Sequence, residues 1–159
     1  MRRFLWIGVA GIGLPLEALS GQTAPVDRDA VVTALRHVRK DLPSEGKIAL
    51  LVTKALSLPD AREVGAALGA ELREPGELST CAREDGFTAC RFREVVGALS
   101  VSQVEQVAAD RLKIRVWTHV QMTVSWRPPW LYGREYEVEL ARLGDRTWTV
   151  VGSAMVTET

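Results

Sequence analysis

The chain has 159 residues, 47% of them hydrophobic and 25% charged, with twenty Lys and Arg set against twenty Asp and Glu. That length and balance describe one globular domain. They argue against nucleic acid as a partner, because phosphates reward a basic surplus gathered on one face.

The first segment, "MRRFLWIGVAGIGLPLEALSGQTAP", follows the grammar of a secretory signal. Arg2 and Arg3 form the positive region, Phe4 to Leu16 the apolar region, and Ala18-Leu19-Ser20 a small-residue cleavage site. About 13 apolar residues fall short of the roughly 20 that span a bilayer, so no stable membrane insertion is expected after cleavage. Residues 1–20 are therefore expected to be a cleaved signal, 21–26 a linker and 27–159 a single domain. The mature chain is expected to be exported, periplasmic or extracellular.

Chain order then gives a first helix on "DRDAVVTALRHVRKDLP". Val31, Leu35, Val38 and Leu42 recur at helical spacing, Asp27 and Asp29 suit its start, and Pro43 stops it. His37 lies off the stripe and is expected to face solvent. "KIALLVTK", Lys47 to Lys54, is a short continuous apolar run that reads as a buried strand. "LPDAREVGAALGA" gives a second helix, with Pro59 in its first turn and Gly69 at its C-terminal end.

Export makes the two cysteines of "CAREDGFTAC" readable. Asp85-Gly86 is a two-residue hairpin signal, because a type I′ turn needs positive φ at both positions. Counting outward sets Glu84 against Phe87, Arg83 against Thr88, Ala82 against Ala89 and Cys81 against Cys90. Opposed residues lie within disulfide reach, so a structural Cys81–Cys90 bridge is expected. A redox pair would favour Cys-x-x-Cys, and a zinc site would need further ligands nearby.

From Phe92 the period shifts to two. "FREVVGALSVSQVEQV" reads as a strand interrupted near Gly97 to Ser102 by a bulge. "RLKIRVWTHVQMTVSW" alternates cleanly, with Ile114, Val116, Thr118, Val120, Met122 and Val124 on one face. Lys113, Arg115, Trp117, His119, Gln121, Thr123 and Ser125 occupy the other. "REYEVELARL" and "RTWTVVGSAMV", joined by a tight turn at Gly144-Asp145, complete a C-terminal four-strand meander. The expectation is α+β, with two helices on one face of a curved, mainly antiparallel sheet.

The closing piece "VELARLGDRTWTVV" is similar to the last hairpin of the nuclear-transport-factor-like superfamily, and the layout resembles its cystatin-like α+β roll. The resemblance covers roughly Asp27 to Thr157 and implies long antiparallel strands around a conical pocket. The disulfide hairpin departs from that pattern, and a second N-terminal helix is missing. The superfamily holds enzymes, binding modules and subunits of larger machines, so the resemblance implies a fold and no activity.

Two surfaces are candidates for work. The first is "SWRPPWLYGREY", a turn region rich in aromatics where Gly, Asn or Ser would be ordinary. A connection symmetrical about Trp130 sets Ser125 against Glu135, Gln121 against Glu139 and His119 against Ala141. Such a loop either caps the roll with Trp126 and Tyr136 packed inward, or exposes Trp130, Leu131 and Tyr132 to a partner or membrane. The second is the mostly polar sheet face. A two-residue turn at Gly144-Asp145 sets Ala141 against Trp148, placing His119, Ala141 and Trp148 in one row with Trp117, Gln121 and Glu139 around them. A three-residue turn would send Trp148 to the opposite face.

The leading expectation is an exported binding or interaction module for a small ligand or an envelope protein. A small enzyme with a His119/Glu139 acid–base pair is the second reading. A structural homodimer contacting through Trp117, Trp148 and Leu143 is the third. No glycine-rich phosphate loop, histidine-rich metal spacing or nucleophile elbow is present in the sequence, so no cofactor or metal is expected.

Overall fold

A computed structural model describes residues 26–144 and 147–159. The signal expected at 1–20 lies outside the described residues, as do all but the last residue of the linker and Asp145 of the expected turn.

Helix α1 (Arg28–Arg39) begins where the Asp27 carboxylate accepts a hydrogen bond from the Ala30 amide at 3.2 Å. That bond satisfies one of the donors a helix leaves open at its start. Its apolar stripe is buried at Val31, Leu35 and Val38. Helix α2 (Leu58–Leu68) carries Pro59 in its first turn and ends at Gly69. Between them runs β1 (Ile48–Leu51), buried at every residue. The chain returns after α2 through β2 (Glu71–Arg73), which pairs parallel with β1. Three residues with two charges carry no periodic apolar signal, which is why β2 was not anticipated.

The hairpin of β3 (Ser79–Glu84) and β4 (Phe87–Phe92) has the anticipated register, with Cys81 opposite Cys90 and their Cα atoms 4.1 Å apart in a disulfide. Asp85 and Gly86 both take positive φ, 48° and 82°, as a type I′ turn demands. Phe92 closes this hairpin and does not open the next strand, a correction to the expected strand limits.

Four long strands follow: β5 (Gly97–Ala108), β6 (Arg111–Val124), β7 (Arg127–Leu143) and β8 (Thr147–Glu158). The six-stranded sheet has the order β2-β1-β5-β6-β7-β8, with β5 parallel to β1 and the last four strands an antiparallel meander. A register shift between Val101 and Gln103 puts an irregularity at Ser102, inside the interrupted stretch. The fold is α+β, with both helices in one apolar core against the sheet. A smaller cluster, Ala49, Leu51, Leu78, Val95 and Ala98 with Phe92, fills the reverse face beside the disulfide hairpin.

Two turns correct the expected register. Val124 pairs with Arg127, so β6 turns at Ser125-Trp126 and the aromatic stretch belongs to β7. His119 consequently faces Gly133 and not Ala141. Thr159 pairs with Gly133, so Arg127–Tyr132 precede the part of β7 that β8 accompanies. Pro128 and Pro129 thus sit on one-sided backbone, next to a register shift between Met122 and Val124, where a missing N–H costs little. At the other end Leu143 pairs with Thr147, leaving three residues between the strands. That single extra residue opposes Trp148 to Arg142 and turns its indole into the helix-side core, where it is 6% exposed.

Candidate functional site

Where the starts of α1 and α2 meet the ends of the β5–β6 and β7–β8 hairpins, the surface opens into a cleft of about 990 Å³. Asp27 and Asp60 come from the helix starts, Lys54 from the loop before α2, Glu105 from β5, and Arg142 and Trp148 from the β7–β8 pair. Trp148 is the largest buried group on its wall. The Arg142 guanidinium stacks 4.6 Å from its ring centroid and also bonds the Asp27 carboxylate. Partial burial works to raise the Asp27 pKa, but the Trp148 indole, the Ala30 amide and Arg142 together hold it below the usual carboxylate value.

The Trp148 indole N–H is buried and meets no acceptor in hydrogen-bonding geometry. It lies near enough to Asp27 to favour the charged carboxylate without completing a bond. Asp60 is engaged by Ser57 at 2.7 Å and Arg28 at 2.8 Å, which lower its pKa in that order. Among the described residues Lys54 and Glu105 form no ion pair, so one cation from the loop before α2 and one anion from β5 stand on the rim. The lining is mixed, with Val104, Leu112 and Trp148 among polar and charged side chains.

The reverse face of the sheet carries the other candidates. Trp117 and His119 stack with centroids 5.9 Å apart and planes 13° from parallel. They lie over Gly133, where a Cβ would stand 3.2 Å from two Trp117 ring atoms and 3.3 Å from His119 Nδ1. The glycine is what lets both rings lie flat. Burial lowers the His119 pKa, leaving a neutral imidazole at pH 7.

The expected acid–base pair does not form. Glu139 faces Lys113, whose Nζ is 3.1 Å from its carboxylate, and Lys113 stands roughly 20 Å from His119 at the usual strand rise. Among the described residues no carboxylate forms an ion pair with His119. Lys113 also reaches Glu137 at 3.2 Å and Arg115 reaches it at 3.3 Å, so this part of the face is a cross-strand ion ladder.

The remaining expected residues scatter. Gln121 accepts a hydrogen bond from the Phe92 amide at 3.0 Å and ties the disulfide hairpin to β6. Trp130 is half-buried beneath Arg127, 4.4 Å from its ring centroid, and Leu131 is half-buried opposite Gln121. Tyr132 donates to Glu158 and accepts from Arg134 at 3.3 Å. Trp126, which one of the two expected arrangements packs inward, is 75% exposed at the turn, and Tyr136 packs against the core. Trp148 leaves the His119 row altogether, which also removes it from any sheet-to-sheet dimer contact.

Asp27 and Arg142 were not anticipated as site residues. Asp27 was legible only as a helix start, and nothing local joins it to a side chain 115 positions away. The chain matches no protein-family model, no curated protein and no solved structure.

Proposed function

We propose that the protein is an exported binding module that holds a small amphipathic molecule in the cleft around Trp148. The observation that carries this reading is the cleft wall itself, where the buried Trp148 ring meets the paired Arg142 guanidinium and Asp27 carboxylate. An aromatic wall with charged groups at its edge suits the apolar body and polar end of such a ligand. Lys54 and Glu105 on the rim suit a molecule with polar ends and an apolar body.

Export is supported by the Cys81–Cys90 disulfide, which persists in oxidising compartments. Among the described residues no helix is long and apolar enough to cross a membrane. A second reading rests on Trp126, whose exposed indole at the β6–β7 turn is suited to anchor a protein partner.

Native mass spectrometry of the oxidised protein, recorded beside a denatured spectrum, tests the first reading. The expected result is an added mass that denaturation removes and that Trp148→Phe strongly reduces. An added mass retained by Trp148→Phe and lost in Trp126→Ser would transfer the function to the turn. A clean apo mass after exposure to cell extract would sink the ligand reading.

A further inference from the structure

The two edges of the six-stranded sheet are built differently. The β2 edge is three residues long and charged, with Glu71 bonded to Lys47 and Arg73, and Arg73 also reaching Glu94. Short, charged edges resist pairing with other chains. β8, the opposite edge, runs for twelve residues and carries no charged side chain from Thr149 to Thr157. Among the described residues no strand pairs with its outer side. Val151, Met155 and Val156 on it are about half-exposed, and Leu143 beside it is 58% exposed.

We propose that β8 is an interface strand that pairs antiparallel with β8 of a second copy of this chain, about a two-fold axis at Ser153. Antiparallel pairing is self-complementary under a two-fold axis, because each copy offers the same row of donors and acceptors. A two-fold normal to the sheet keeps residues of one face opposite residues of the same face. With the axis at Ser153, Gly152 faces Ala154 of the second copy, and Val151, at the bulge that ends the regular stretch, comes alongside Met155.

The two small residues allow close approach, and the two exposed apolar residues cover each other on both sides of the axis. Register shifts against β7 leave Val151 and Val156 as extra residues, so Gly152–Met155 is the regular stretch between two bulges and the axis falls within it. An edge without charge meets no repulsion from its own copy, whereas a strongly acidic or basic partner would gain nothing from it. The association is independent of the cleft and joins two sheets edge to edge.

Sedimentation equilibrium of the oxidised, signal-free protein over a wide concentration range tests this. Ser153 is exposed, so Ser153→Lys and Ser153→Glu should each fold, as circular dichroism would verify. Each places like charges directly opposite one another and should weaken dimerisation by about a hundredfold or more. An equimolar mixture of the two variants should recover dimer as the Lys–Glu heterodimer. A wild-type protein that stays monomeric throughout overturns the proposal. So does a dimer indifferent to both substitutions, or a mixture of variants that fails to associate.

Discussion

The two faces of β6 pass through the same fourteen residues and do opposite work. On the helix side Leu112, Ile114, Val116 and Thr118 are buried against α1 and the neighbouring strands. On the reverse side Lys113 and Arg115 spend their charge on Glu137 and Glu139, while Trp117 and His119 lie over Gly133. Burial on the first face is dense and cooperative, so each methylene there counts. The ion ladder on the second is screened by water and costs little to remove. Stability and candidate chemistry are thus separated by a two-residue period, with the cleft at one end drawing on the buried side through Trp148.

Substitutions that trade one face against the other sharpen this contrast. The largest effect is expected at Ile114, fully buried, where Ile114→Ala should cost about 3 kcal/mol in a urea titration. Arg115→Ala, the very next residue, should leave the midpoint unchanged within error. Equal losses at the two positions would mean the ion ladder carries the sheet.

Gly133→Ala tests the aromatic stack. Its Cβ would meet Trp117 and His119 closer than ordinary contact, so the rings must tilt, at a cost of about 1 kcal/mol and a change in tryptophan fluorescence. An unaltered spectrum and midpoint would show that the stack has slack.

The smallest effect is a pH dependence. Burial holds the folded His119 pKa below its ordinary 6.5, so the unfolded chain binds more protons between those values. Stability should be complete above pH 6.5 and should fall as pH drops through the lower, folded value. His119→Gln should flatten that slope while leaving the steeper carboxylate-driven loss near pH 4 in place, as paired thermal melts would record. A slope that survives the substitution would assign it to another group.

The disulfide hairpin and the helices were legible because their signals are local. Asp85-Gly86 sets its own turn, and a two-residue turn leaves no freedom in the pairing that follows, so Cys81 had to face Cys90. Asp27 and Pro43 bracket α1 by chemistry that acts within one helical turn. The alternation of β6 likewise separated buried from open residues between Leu112 and Thr118, because side chains on a strand change face at every step, whereas Met122 near the turn is exposed.

What joins distant segments was decided only by the folded chain. Trp126 at a tight turn and prolines inside a strand contradict local preference, yet they fit because that part of β7 is paired on one side alone. One residue more in the β7–β8 connection moved Trp148 from the open face to the core and with it the candidate site from His119 to the cleft. Parity of a strand can be read from sequence. Its register depends on loop length and on which side chains the opposite layer will bury, and those are properties of the assembled molecule.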